Sequence, residues 1–372
     1  MKNLTKLIII SNTSWNIFNF RMSLMRHLKD NGYEVIVLAP FDEYSCHIEA
    51  AGFKYINLPM SNKGINPFQD IILIYRLNRI LIKENVKIIL SYTHKPNIYS
   101  SIVGGLRGIR VLPNISGLGA PFISQNIVTK VIKLLYKFSL KYSFKVFFQN
   151  FEDLDLFVSL GLIHKDKAER IPGSGVNVKY FSQEKSKSKK TGTFIFLMMS
   201  RILWDKGVGE YIKAARLIKI KYPNVRFQLL GFLDVENPKA ISRSKVNDWV
   251  EEGVVDYIGK TNDVKKFIQE VDCVVLPSYR EGLPRSLLEA ASLEIPIIAT
   301  DVPGCRDVVE NEVTGFLCDV KNPDHLAKKM ELMIDLTSLE RSKMGTYGRE
   351  KIIKEFDEEI VIKAYLNALL IE

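Results

Sequence analysis

The chain has 372 residues, 47% of them hydrophobic and 25% charged, enough to fill two cores of ordinary domain size. The formal net charge of +10 favours an anionic partner (a nucleotide sugar, a phospholipid surface, nucleic acid), with solubility alone as the alternative. No stretch approaches the roughly 18 apolar residues of a membrane span, the opening MKNLTKLIIISNTSW is too short in apolar residues for a signal peptide, and Cys46, Cys273, Cys305 and Cys318 form no C-x-x-C or zinc spacing.

Lys6–Ser11 is a continuous apolar run suited to a buried parallel strand. A loop, Asn12–Asn16, is expected to lead into a helix through Arg21–Asp30, with Asn31-Gly32 as its left-handed cap. Strands are expected at Glu34–Ala39, Tyr55–Leu58, Val86–Ser91, Arg110–Asn114 and Val146–Gln149, with helices between them, Phe68–Glu84 among these. This alternation is the βαβ pattern of a doubly wound sheet. The loop after the first strand holds no G-x-G-x-x-G, which argues against a dinucleotide site.

His94 lies in Ser91-Tyr92-Thr93-His94-Lys95-Pro96-Asn97, just after a strand, where α/β proteins bind ligands. It is either a donor to a sugar hydroxyl or to developing charge, or a hydrogen-bonded structural histidine. Ser116-Gly117-Leu118-Gly119 ends the next strand and either admits a substrate or makes the turn. In Lys130–Lys145, KVIKLLYKFSLKYSFK, a helix would put Val131, Leu134, Leu135, Phe138 and Tyr142 on one face ringed by lysines. That suits an interfacial helix, or a core-facing helix with a solvated side. No recognition motif accompanies the charge, so nucleic acid is not an expected partner.

Pro172-Gly173-Ser174-Gly175-Val176-Asn177 marks a junction, and the Lys/Ser-rich Ser182–Gly192 reads as a surface loop. A second α/β series follows, with strands at Thr193–Ser200, Val225–Gly231, Val254–Ile258, Cys273–Pro277 and Pro296–Thr300. Arg201 and Lys206 stand above the end of its first strand, either as a diphosphate clamp or as two surface cations. Ile258-Gly259-Lys260 closes another. Ser278–Asp307 carries the densest signal. The turn Glu281-Gly282-Leu283-Pro284 opens a helix, Pro284–Leu293, with Pro284 suited to its first position. Asp301-Val302-Pro303-Gly304 forms a second turn on the neighbouring strand end. Free N–H groups at helix starts suit a diphosphate, and Gly282 and Gly304 let a ligand approach the backbone. Glu281 and Glu289 can accept from vicinal hydroxyls of a sugar, although two glutamates at this spacing also occur by chance. The only Asp-x-Asp considered as a metal motif, Asp153-Leu154-Asp155, falls in a helical segment, so no metal is expected.

The strings SYREGLPRSLLEA and PIIATDVPGCRDVVENEVTGFLCD resemble the E-x7-E signature of retaining family 4 glycosyltransferases. The resemblance implies an α/β GT-B fold, two Rossmann-like doubly wound domains facing a cleft. It implies an acceptor-binding domain at residues 1–170, a nucleotide-sugar-binding domain at 171–353, and a terminal helix within 354–372 crossing back. Glu281 would then contact the transferred sugar and Glu289 the ribose. Arg201 and Lys206 would hold the phosphates, Gly282, Leu283, Pro284 and Gly304 the donor backbone contacts, and Lys260 the base. His94 would stand beside the donor sugar. Two departures are visible: SNTSWNIFNFR replaces the Gly-Gly turn common in the family, and Ser-Gly-Val-Asn stands where the family has NGVD.

Within the family, NTSWNIFNFR, APFDEYS, THKPNIY, ISGLGAPF, ILWDKGVGEY and DVENP look most like bacterial enzymes that extend undecaprenyl-diphosphate-linked sugars. That implies a UDP-sugar donor carrying a hexose or N-acetylhexosamine, and a lipid-linked saccharide acceptor. It further implies peripheral attachment to the cytoplasmic face of the inner membrane and retaining transfer with neither metal nor cofactor. A GT-B sugar-nucleotide 2-epimerase and a non-catalytic membrane-associated scaffold are the alternatives.

Overall fold

The computed structural model describes residues 4–61, 66–118, 127–183, 192–235 and 237–371. Most of the expected loop Ser182–Gly192, and Gly119, lie outside the described residues. Contacts divide the chain into two units, one of residues 1–174 with 360–372 and one of residues 175–359.

The first unit is built on a seven-stranded parallel sheet in the order β3-β2-β1-β4-β5-β6-β7. Its strands are β1 (Thr5–Ile10), β2 (Tyr33–Ala39), β3 (Lys54–Asn57), β4 (Ile88–Tyr92), β5 (Arg110–Ile115), β6 (Val146–Phe148) and β7 (Ala168–Arg170). The apolar runs become strands because both faces are covered: Leu7 and Ile9 point into one core, Ile8 and Ile10 into the other. The helices are α1 (Ser14–Asp30), α2 (Ser45–Ala50), α3 (Pro67–Glu84), α4 (His94–Gly105), α5 (Ile127–Ser139) and α6 (Phe151–Ser159).

The second unit repeats the plan with six parallel strands in the order β10-β9-β8-β11-β12-β13. These are β8 (Ile195–Met199), β9 (Arg226–Leu230), β10 (Asp256–Gly259), β11 (Cys273–Leu276), β12 (Ile297–Thr300) and β13 (Gly315–Cys318). Its helices are α7 (Val208–Lys221), α8 (Arg243–Glu251), α9 (Val264–Ile268), α10 (Arg285–Ser292), α11 (Cys305–Val308), α12 (Pro323–Asp335) and α13 (Ser338–Glu355). The last helix, α14 (Glu358–Leu370), buries Val361, Ile362, Tyr365, Ala368 and Leu369 in the first unit's core with Leu7 and Leu90. Both sheets reverse strand order once, between β1 and β4 and between β8 and β11. Ligands of such sheets bind beyond the strand ends at these reversals.

Several local expectations change. The helix expected after a loop at Asn12–Asn16 already starts at Ser14. Thr13 caps it by accepting from Asn16 N at 3.2 Å, and the Asp42 carboxylate takes the N–H groups of Ser14 and Trp15 at 2.8 and 3.1 Å. A tertiary carboxylate thus satisfies N–H groups that a helix start otherwise leaves open. Pro284 is not the first helical residue: at ψ 111 it is the extended N-cap, and α10 begins at Arg285. The second turn opens only the four-residue α11, too short to build much of a dipole. Strands β7 and β13 go beyond the expected set. Both are short edge strands.

Candidate functional site

In the second unit three loops meet at the strand-order reversal: Arg201–Gly207 after β8, Pro277–Pro284 after β11, and Asp301–Gly304 after β12. Backbone packing holds them together. Gly207, at φ +77, lies so close to β11's end that an added Cβ would stand 2.0 Å from the Pro277 carbonyl oxygen. Tyr279 N donates to the Asp205 carbonyl at 3.0 Å. Gly304, at φ +81, abuts the Gly282 carbonyl, which a Cβ there would approach to 2.4 Å. The two Gly/Pro turns therefore touch, and glycine at 304 is required twice over, by its backbone angle and by this contact.

This packing joins residues 75 positions apart: Lys206 Nζ donates to Glu281 Oε1 at 2.6 Å. Both side chains are largely shielded, at 17% and 13% exposure, which strengthens a charge-assisted bond relative to a surface pair. Cys305, buried behind the turn, feels the same groups. Burial first, then the Glu281 charge, pushes its thiol well above the usual range. Arg201 is exposed at the end of β8, beside the loop that carries Lys206. Glu289 lies inside α10 with its carboxylate 3.0 Å from Arg285 Nε. Burial raises its pKa, and the Arg285 guanidinium opposes that rise. Leu283 is half-buried, whereas Gly282 and Pro284 are buried. Lys260 is exposed just past β10, the edge strand of the sheet.

In the first unit the end of β4 leads through Thr93 into α4. Thr93 sits at φ 72 and ψ 162, a conformation that a β-branched residue rarely adopts. The chain then places His94 as the first residue of the helix, with Nδ1 2.7 Å from the buried Tyr136 hydroxyl. Burial lowers the His94 pKa and keeps the ring neutral at pH 7. His94 lines a cavity of about 160 Å³ with Thr93, Asn97, Ser116, Gly117 and Tyr136. Thr93 Oγ1 and Asn97 Oδ1 are buried without a hydrogen-bond partner among the described residues. Orphaned polar atoms of this kind are uncommon in native proteins, and a water or a polar ligand in the cavity would satisfy them. Among the described residues no group of three His, Cys, Asp or Glu side chains could hold a metal ion. Asp153 is fully buried at the start of α6, where its N–H bonds to Asn150 Oδ1 at 2.7 Å.

The sequence matches two family profiles, "Glycosyl transferase 4-like" over residues 6–150 and "Glycosyl transferases group 1" over residues 180–351. It is 32% identical to the N,N'-diacetylbacillosaminyl-diphospho-undecaprenol alpha-1,3-N-acetylgalactosaminyltransferase of Campylobacter jejuni, with 96% of each chain covered. The chain is a family 4 glycosyltransferase. The UDP-Gal:alpha-D-GlcNAc-diphosphoundecaprenol alpha-1,3-galactosyltransferase of Escherichia coli is 25% identical, over 81% of this chain and 79% of its own. A glycosyltransferase from Rickettsia africae superposes with a TM-score of 0.81 at 19% identity, both chains covered fully. Anabaena Alr3699/HepE in complex with UDP gives 0.80 at 16% identity over 98% and 99% of the chains. The two parallel sheets are those of a GT-B glycosyltransferase.

The basic stretch of the transferase forms α5 and a 3-10 turn, Leu140–Tyr142. Its apolar stripe faces outward: Ile127, Val131, Leu134, Phe138 and Tyr142 are exposed, Leu134 at 67%. Leu135, expected on that face, instead packs inward with the first unit's core, beside the buried Tyr136 and Leu140. A second exposed stripe went unread in the sequence. Helix α3 buries Leu73, Leu77 and Leu81 but exposes Phe68, Ile71, Ile72 and Tyr75, Phe68 at 79%. Its two acidic residues, Asp70 and Glu84, are buried and paired with Lys95 and Lys54. Helix α5 contains no acidic residue. Among the described residues no helix is long and apolar enough to cross a membrane.

Proposed function

We propose that this glycosyltransferase moves a hexose or N-acetylhexosamine from a UDP-sugar to an undecaprenyl-diphosphate-linked saccharide, retaining the anomeric configuration and using no metal. The observation that carries this reading is the shielded Lys206–Glu281 pair at the strand-order reversal of the second unit, under the start of α10. A diphosphate there would draw Lys206 and the exposed Arg201, with the N-terminal end of the α10 dipole adding positive potential. Glu281, released from Lys206, would accept from hydroxyls of the transferred sugar, and Glu289 from the ribose. The α-linkage in the names of both transferase relatives fits retention from an α-linked nucleotide sugar.

In the proposed step the acceptor oxygen bonds to the anomeric carbon while the bond from that carbon to the β-phosphate oxygen breaks. The acceptor's proton passes to the departing phosphate on the same face. Lys206 and Arg201 offset the charge that grows on UDP, so no separate general base is assigned. The first unit takes the acceptor, and His94 donates a hydrogen bond to a sugar hydroxyl.

The exposed stripes of α3 and α5 support peripheral attachment to the cytoplasmic face of the inner membrane. Apolar residues beside Arg76, Arg79, Lys130, Lys133, Lys137 and Lys141, with no exposed carboxylate on either helix, match an anionic lipid surface. Lysine-to-glutamate changes on α5 should weaken binding to anionic vesicles, by about 1 kcal/mol per charge. Equal vesicle binding by such a variant would overturn the attachment reading. The transfer reading is tested by UDP release from a panel of UDP-sugars with and without a synthetic lipid-diphosphate sugar, in the presence of EDTA. Acceptor-dependent release is expected. Release that ignores the acceptor, or that EDTA abolishes, would overturn it.

A further inference from the structure

Tyr136 lies on the inward face of α5, opposite the exposed stripe, and is fully buried. Its ring packs edge-on against Phe157 with centroids 5.3 Å apart, and its hydroxyl stands 2.7 Å from His94 Nδ1. Asn97, one turn along α4 from His94, donates from its amide nitrogen to the Asn114 carbonyl at 2.8 Å. A backbone carbonyl can only accept, so this bond fixes which end of the Asn97 amide is nitrogen and leaves Oδ1 as the unpaired atom. A phenol hydroxyl is the stronger donor and a neutral imidazole nitrogen the stronger acceptor, so chemistry favours donation from the Tyr136 hydroxyl to His94 Nδ1 across this 2.7 Å contact. In a neutral imidazole that accepts at Nδ1, the hydrogen is on Nε2. Among the described residues, none of the side chains lining the cavity is a carboxylate, ammonium or guanidinium.

We infer that Tyr136 is a positioning residue that holds His94 as the Nε2–H tautomer. The cavity at the start of α4 then offers a donor from His94 beside the bare acceptor of Asn97 to a neutral, hydroxyl- or amide-bearing sugar. This rests on the proposed glycosyl transfer for its ligand class, while the tautomer is a property of the free protein. A hydroxyl gives and takes a hydrogen bond, and an acetamido N–H gives one, so a donor beside an acceptor matches a sugar edge. A phosphate, which only accepts when ionised, would leave Asn97 Oδ1 unmatched. His94 and Asn97, three positions apart in α4, share one face of that helix.

The test is nitrogen-15 NMR of the imidazole rings in the full chain at neutral pH, with His94→Gln assigning the signal. Wild type should show His94 protonated at Nε2 and bare at Nδ1. In Tyr136→Phe, which keeps the ring against Phe157, that preference should be lost. The same variant should lower kcat about tenfold, the worth of one hydrogen bond, with donor KM nearly unchanged. Adding Tyr136→Phe to His94→Gln should cost nothing further, since both remove one function. A wild-type His94 protonated at Nδ1 would overturn the inference without any variant, and so would fully multiplicative losses in the double variant. If no UDP-sugar is transferred at all, the reading of function falls, and the wild-type spectrum still decides the tautomer.

Discussion

Changing Glu281 to Gln separates the charge of the site from its shape. The carboxamide keeps an oxygen where Oε1 now stands 2.6 Å from Lys206 Nζ, but it leaves the ammonium without a counter-charge. With 13% and 17% exposure, the pair lies between two limits. Exposed pairs contribute about 0.2–1 kcal/mol, and breaking a buried one costs about 3–5 kcal/mol. Because Gln still accepts a hydrogen bond, a folding loss of about 1–2 kcal/mol is expected. The chemical step should suffer more. Replacing a charged acceptor for a sugar hydroxyl by a neutral one costs about 1.5–3 kcal/mol, roughly ten- to hundred-fold in kcat. Donor KM should stay about level, because freeing Lys206 for the phosphates is offset by the weaker hold of a neutral side chain on the sugar. Steady-state kinetics with a synthetic lipid-diphosphate sugar, alongside denaturant unfolding, reads both effects. A kcat within about twofold of wild type, or a raised donor KM with kcat intact, would refute the assignment of Glu281 to the transferred sugar.

Glu289→Gln should chiefly raise donor KM, about tenfold or more, because ribose contacts bind ground and transition states alike; an unchanged donor KM in the same kinetics removes Glu289 from the ribose. Gly304→Ala must place a Cβ 2.4 Å from the Gly282 carbonyl at φ +81. It should cost about 2 kcal/mol in denaturant unfolding and displace the Glu281 turn, whereas wild-type stability and activity would show that the two turns are not locked together. The lowered pKa of His94 gives a pH dependence of definite sign. As pH falls below the ordinary histidine value of 6.5, the unfolded chain takes the proton first, so His94's contribution is present above that value and is lost through lower pH. Unfolding curves of wild type and His94→Gln should therefore converge in acid, and parallel curves would contradict a buried neutral histidine.

The βαβ alternation was legible because parallel strands covered on both faces need continuous apolar runs, and Lys6–Ser11 and Cys273–Pro277 supply them. Arg201, Lys206 and Glu281 were legible as types suited to phosphate and sugar, each beside a strand end. Their pairing was not. Lys206 and Glu281 meet only because β8 and β11 are neighbours across the order reversal, a fact of topology that no local spacing carries. The early start of α1 was hidden for the same reason, since its cap is Asp42 on the next loop. Helix α3 failed differently. It carries two apolar stripes, Leu73-Leu77-Leu81 and Phe68-Ile71-Ile72-Tyr75, each at helical spacing. Periodicity says that both exist, and only the packed sheet decides which one is buried. In α5 the helical spacing that gathered Leu135 with Val131 and Leu134 set the stripe one position too wide.

The Lys206–Glu281 pair also bears on how the proposed donor is told from its product. A diphosphate alone can draw Lys206 away, but it then leaves the Glu281 carboxylate shielded and unpaired, which opposes binding. A whole UDP-sugar supplies both replacements, phosphate oxygens for Lys206 and sugar hydroxyls for Glu281. If the site holds the proposed donor in this way, the pair sets donor above UDP, and after transfer it favours UDP release, since Lys206 can close back onto Glu281. Glu281→Gln removes the penalty at its source. Titration calorimetry should find that this variant binds UDP more tightly than wild type does, by several-fold, while its affinity for the intact UDP-sugar does not rise. Equal UDP affinity in the two proteins would mean that Lys206 stays with Glu281 when the diphosphate binds, and that Arg201 and the start of α10 hold the phosphates without it.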